Sequence, residues 1–199
     1  MKSVLYIKAN PKSDEDSITF QMSQRFIETY QRANPDDVIT TLDLYKENPR
    51  FLNANDLNNM VSEAQFDVRQ YAKQFAQHDR IVFAAPMWNL SFPSILKAYL
   101  DYVAFQGITF KYTQNGSVGL LAGQGKKVLY LVARGGSYTD EPMKSMELGE
   151  RYLRTLMAFF GIDDFTTVSC EMTNVLQGEE LNNAVAEAVN AAVTAAKIF

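Results

Sequence analysis

Ile81-Val82-Phe83-Ala84-Ala85-Pro86-Met87-Trp88-Asn89-Leu90-Ser91-Phe92-Pro93 reads as a strand that stops at a proline. Residues 81–85 are apolar with no polar alternation, the pattern of a strand covered on both faces at the centre of a parallel sheet. Pro86 brings no N–H to a ladder and ends it. Met87, Trp88, Asn89 and Leu90 then place an apolar ring and a carboxamide at the carboxyl edge of that strand, where open α/β sheets bind ligands. Two readings stay open here. The cluster is either a surface for something flat and partly polar, or a strand end whose Met and Trp are core.

Working outward, residues 4–7 form a second short apolar strand closed by Asn10-Pro11, and residues 127–133 form a third, ended by Arg134-Gly135-Gly136-Ser137-Tyr138. Ile18, Met22, Phe26 and Tyr30 recur at steps of four and predict a helix from near Ser17 to before Asn34-Pro35. Residues 37–44 alternate Val38, Thr40, Leu42 and Leu44, as an edge strand does. Residues 46–59 carry no strong period and read as a loop or lid. A long helix is expected next, with Met60, Ala64, Val68, Tyr71, Ala72 and Phe75 on its stripe and His78 at its C-terminus, where an imidazole suits the helix dipole.

Past the opening stretch, Pro93 starts a helix over 95–103 in which Lys97 and Asp101 pair on the surface. Residues 107–116 form an extended arm reversing at Asn115-Gly116. Its aromatic residues Phe105, Phe110 and Tyr112 either pack underneath or face a ligand or second subunit. A helix over 147–160 stops at Gly161, residues 165–172 supply a fifth strand containing Cys170, and residues 179–197 close the chain as an Ala-rich helix. Five strands alternating with five helices give an α/β three-layer, doubly wound parallel sheet with right-handed crossovers.

The chain has 199 residues, 47% of them hydrophobic, enough for one well-filled domain over 1–199. Its net charge is −4, with 19 Lys and Arg scattered rather than massed, which argues against nucleic acid or an anionic membrane as partner. No apolar run reaches the ~18 residues of a membrane helix. A strand follows Met1-Lys2-Ser3 directly, so a soluble, cytoplasmic protein is expected. One cysteine and one histidine leave no intrachain disulfide and no zinc cluster, and no metal site is expected.

The loops that follow these strands share one sheet edge. Residues 10–19 lead into a helix N-terminus, whose unpaired N–H groups and partial positive charge suit a phosphate, with hydroxyls at Ser17 and Thr19. Ser17 reads equally as an N-cap, and Asp14, Glu15 and Asp16 must face solvent if a phosphate binds. Gly135-Gly136 is either a plain turn or a place where bare N–H groups meet a polar ring edge. Phosphate at one end and a flat heterocycle at the other describe a mononucleotide such as FMN better than a dinucleotide. The chain has neither G-x-G-x-x-G nor a phosphate-binding Gly-Lys-Ser/Thr loop.

Asn10-Pro11-Lys12 with Ser17-Ile18-Thr19, the string from Pro86 to Pro93 with Leu96-Lys97-Ala98-Tyr99, residues 109–113 (Thr-Phe-Lys-Tyr-Thr) and Ala133-Arg134-Gly135-Gly136 together resemble the FMN-dependent NADH-azoreductases. This is a flavodoxin-like group that also reduces quinones, with sheet order 2-1-3-4-5. The resemblance runs from the first strand to Gly161. It implies bound FMN, NADH as reductant, two-step hydride transfer to azo compounds or quinones, and a homodimer with the site at the subunit interface.

By position it makes Asn10, Ser17, Ile18 and Thr19 the phosphate loop. Pro86, Met87, Trp88, Asn89 and Leu90 become the ring contacts, and Ala133, Arg134, Gly135, Gly136 and Ser137 the pyrimidine edge. Tyr112 matches an aromatic near the flavin at that interface and is a candidate substrate contact, and no side chain is a mandatory catalyst. Family members commonly have Ser at the positions of Asn10 and Thr19; both replacements stay polar. Arg50 and Arg134 are candidates for the 2′-phosphate of NADPH. The rival readings are a flavodoxin-type electron carrier and a flavin-free nucleotide-binding module on the same fold.

Overall fold

The computed structural model describes residues 1–61 and 68–199. In chain order its elements are β1 (Ser3–Lys8), α1 (Ile18–Ala33), β2 (Val38–Asp43), α2 (Leu44–Glu47), α3 (Ala54–Val61), α4 (Gln70–Gln77) and β3 (Arg80–Ala84). There follow α5 (Ser94–Val103), β4 (Phe110–Thr113), β5 (Gly116–Gly119), β6 (Lys127–Ala133), a 3-10 turn (Met143–Met146), α6 (Leu148–Phe160), β7 (Asp164–Cys170) and α7 (Gly178–Ala196). The five-stranded sheet runs β2-β1-β3-β6-β7, all parallel. Counted by strands of this sheet alone, that is the expected 2-1-3-4-5.

Strand β1 shows why the apolar runs are unbroken. Leu5 and Ile7 join Ile81, Phe83, Val128 and Tyr130 under α4, α5 and α6, while Val4 and Tyr6 join Val82, Ala84, Leu129 and Leu131 under α1 and α7. Each strand is covered on both faces, so both of its side-chain rows are apolar. The edge strand β2 differs, with only Leu42 buried and Val38 54% exposed. Cys170 sits in the second of these cores as small apolar filler, and burial pushes its thiol pKa up.

Four expectations change. Residues 46–59 are partly helical: Asn53 Oδ1 accepts from the N–H groups of Asn55 and Asp56 at 2.9 and 3.1 Å, and Asp56 Oδ2 accepts from Asn53 N–H at 3.0 Å. This reciprocal cap starts α3. Leu44 opens α2 rather than ending β2, because Asp43 accepts from Tyr45 N–H at 3.1 Å and caps the new turn. The expected long helix appears as α3, which holds Met60, and α4 after Val68; Ala64 lies outside the described residues. The fifth strand ends at Cys170, with Met172 at φ 62°.

The arm is a two-stranded hairpin, β4 against β5. Gly119 fixes it to α6, since a Cβ there would lie 2.3 Å from the Phe160 carbonyl carbon. Phe105 is buried with Val68, Ala72 and Tyr102, Phe110 packs on Phe159 of α6, and Tyr112 is 66% exposed. His78 caps α4, with its Nδ1 2.6 Å from Gln74 O, in keeping with a structural histidine.

Candidate functional site

A cleft of about 300 Å³ opens at the carboxyl edge of the sheet between the ends of β1, β3, β6 and β7. Asn10, Ser17, Ile18, Thr19, Pro86, Met87, Trp88, Ala133 and Gly135 line it, so nine of the residues expected from sequence come together. Asn89, Leu90, Arg134, Gly136 and Ser137 do not line it, whereas Lys12, Asp16, Thr173 and Asn174 do.

At one end, Ser17 is an N-cap and a cleft residue at once. Its Oγ accepts from Phe20 N–H at 3.2 Å and from Asn10 Nδ2 at 2.9 Å. Thr19 Oγ1 accepts from Ala133 N–H at 3.1 Å, tying the start of α1 to the end of β6. The N–H groups of Ile18 and Thr19 have no partner among the described residues. They stand at the positive end of a 16-residue helix, a site suited to an anion. Asp14 pairs with Lys8, and Asp16 accepts the Ser13 hydroxyl at 2.7 Å, so both acids are engaged locally.

In the middle, Trp88 is 42% exposed, which removes the reading of this strand end as core alone. Trp88 and Ser91 exchange two backbone hydrogen bonds of 2.7 and 3.0 Å around Asn89 (φ 49°) and Leu90 (φ 68°). Both central residues have positive φ, as in a type I′ turn. Leu90 O also accepts from Leu148 N–H at 2.9 Å, anchoring this turn on α6.

At the far end, the N–H groups of Gly135 and Gly136 have no partner among the described residues. Beneath them Arg134 is only 5% exposed. Its guanidinium meets Glu150 at 2.8 Å, Glu171 at 3.1 Å and Glu147 at 3.7 Å. Burial opposes its charge, and the carboxylates outweigh burial and raise its pKa further. Arg134 therefore supports the loop from below and does not reach a 2′-phosphate. Arg50 holds Asp56 through two bonds of 2.6 Å.

Thr173 and Asn174, which follow β7, complete this wall; Asn174 lies so close to Gly135 that a Cβ there would be 2.4 Å from its Nδ2. Their only sequence signal is position, at the carboxyl end of the fifth strand.

Sheet order and a crevice at the strands' carboxyl ends are those of an open, ligand-binding α/β fold. The flavodoxin-like fold family matches residues 2–195, and the chain belongs to it. An FMN-dependent NADH:quinone oxidoreductase of Clostridium beijerinckii is 50% identical, with both chains covered in full. A Bacillus anthracis azoreductase superposes with TM-score 0.91 at 31% identity over all of both chains. An FMN-dependent NADH-azoreductase of the same organism, solved in complex with FMN, superposes with TM-score 0.86 at 30% identity, covering 98% of this chain and 100% of its own.

Proposed function

We propose that this chain is an FMN-dependent reductase that draws hydride from NADH and delivers it to quinones and aromatic azo compounds, as a cytoplasmic homodimer. The observation that carries the reading is the cleft, which joins free N–H donors at the start of α1 to the exposed Trp88 and to Gly135, whose N–H is free, as is that of Gly136 next to it on the same turn. That donor set fits FMN: an anion site, an apolar platform and a polar ring edge. The relatives' names agree with it.

FMN held in the cleft would supply the two-electron hydride chemistry between NADH and an electron-poor acceptor. Ile18 and Thr19 N–H, with the helix dipole, hold the phosphate. Met87 and Trp88 offer the ring its apolar surface and exclude water from one side. The N–H groups of Gly135 and Gly136 would donate to the polar edge of the ring and favour negative charge there. No side chain serves as nucleophile, and product protons come from water.

Tyr112 lies outside the cleft of its own chain, on the exposed side of the hairpin. In the homodimer we assign it to the neighbouring subunit's cleft as an acceptor contact.

The test is the visible spectrum of the purified protein with added FMN, before and after anaerobic NADH. Bound flavin that bleaches with NADH and recovers with a quinone or an azo dye is expected. Bound flavin that NADH cannot reduce means an electron carrier, and no bound flavin overturns the cleft assignment.

A further inference from the structure

We infer that Glu171 is a positioning residue for the Gly135-Gly136 turn. Its carboxylate joins the buried Arg134 to the outer part of the same loop, so that the two free N–H groups are held at the cleft. The inference rests on the function proposed above.

Glu171 immediately follows β7 and does not line the cleft. Its Oε1 accepts from Arg134 Nη1 at 3.1 Å. Its Oε2 accepts from Ser137 Oγ at 3.1 Å, Tyr138 N–H at 3.3 Å and Thr139 Oγ1 at 2.9 Å. One side chain thus ties position 134 to positions 137–139 and brackets the two glycines. Only a carboxylate accepts on both oxygens, whereas an amide of the same length offers one acceptor and a competing donor.

The next three residues finish the hold. Met172 N–H donates to Gly136 O, Thr173 N–H to Arg134 O and Asn174 N–H to Gly135 O, each at 3.1 Å, and Thr173 Oγ1 donates to Arg134 O at 3.0 Å. The Arg134 carbonyl and Gly135 N–H belong to one peptide plane, as do the Gly135 carbonyl and Gly136 N–H. In a trans peptide these groups point opposite ways. Carbonyls fastened to 173–174 therefore turn both N–H groups away from that segment. Met172 accepts a positive φ of 62° within this lacing, an outlier that the surrounding bonds maintain.

Glu147 and Glu150 still neutralise Arg134 when Glu171 is changed, so the fold should tolerate substitution. Glu171→Asp keeps the charge but is one methylene too short to span both sets of donors; Glu171→Gln keeps the length and loses an acceptor. Three readouts are followed: amide exchange in the flavin-free protein at Tyr138, Met172, Thr173 and Asn174, the FMN dissociation constant, and the midpoint potential of the bound flavin.

Both variants should exchange faster at these amides and bind FMN roughly tenfold more weakly. Glu171→Asp, with its charge retained, should also lower the potential by about 30 mV, equivalent to tenfold in relative affinity for the reduced form. Should either variant fail to fold, Thr139→Val, which removes one donor at an exposed position, should shift exchange and affinity the same way by a smaller factor.

Unchanged exchange overturns the inference. So does faster exchange with unchanged flavin affinity and potential, which would make Glu171 merely structural. If the wild-type chain takes up no FMN, the proposed function falls separately, and exchange alone then decides whether Glu171 holds the turn.

Discussion

At the α1 end of the cleft the capping contacts of Ser17 are neutral and link near neighbours in sequence, with Thr19 Oγ1 to Ala133 N–H the one long-range tie, whereas the Gly135-Gly136 end hangs on a buried arginine and carboxylates from two other segments. Asn10 reaches Ser17 across seven positions and Ser17 reaches Phe20 across three. Arg134 instead reaches Glu150 across 16 positions and Glu171 across 37. A neutral local cap loses little when one member is removed. A cluster around a buried cation is fragile, because losing that cation leaves the buried Glu147 and the half-buried Glu150 and Glu171 facing one another unpaired.

Arg134→Met breaks the contrast most severely. It leaves Glu147, Glu150 and Glu171 without their shared cation and should cost about 3–5 kcal/mol in chemical denaturation. Acid sharpens the same difference. Burial raises the pKa of Glu150 and of Glu171, but hydrogen bonds from Arg154 and Arg134 to the first, and from Thr139, Arg134, Tyr138 and Ser137 to the second, outweigh it and lower both. Their stabilisation is therefore complete above the unfolded pKa of about 4.3 and is lost as pH falls through the lower folded values. Denaturation from pH 6 down through that range should show a shallower loss for Glu171→Gln than for wild type. Ser17→Ala, at the uncharged end, should track wild type in slope.

Ser17→Ala should itself cost about 1 kcal/mol through the lost cap, read from thermal melting, and should weaken FMN uptake in a titration. Gly135→Ala drives a Cβ into Asn174, whose side chain can rotate aside for about 0.5–1.5 kcal/mol. It should melt near wild type and bind FMN less tightly. Smallest of all, Tyr112→Ala should change stability by less than about 0.5 kcal/mol, since the ring is mostly exposed. It should leave FMN bound and alter the ratio of quinone to azo-dye turnover; loss of the flavin would sink the acceptor role.

The same contrast explains what could be read in advance. Apolar runs at 4–7, 81–85 and 127–133 declare strands covered on both faces, and they fix the sheet. Ser17 and the i, i+4 stripe of α1 announce a helix start by local chemistry, so the α1 end of the cleft was legible. Glu171, Thr173 and Asn174 carried no signal beyond their position at the end of the fifth strand, because their partners lie far away in sequence. Arg134 misled for the same reason: an arginine beside two glycines looks like an anion ligand until three distant carboxylates surround it. The cap that starts α3, Asn53 with Asp56, was written locally yet was masked by the Asn-rich, aperiodic stretch around it.

Gly119 gives the hairpin an unusual mount. At Gly119 the joint with α6 is backbone against backbone, beside the ring contact of Phe110 with Phe159. Lys111 and Tyr112 are exposed and take no part in that backbone joint, whereas Thr113 Oγ1 donates to Gly116 O at 2.8 Å and holds the turn. In evolutionary terms the arm is a fixed bracket with exchangeable tips. New acceptor preferences are open to single substitutions there, while position 119 is closed to every residue that has a side chain.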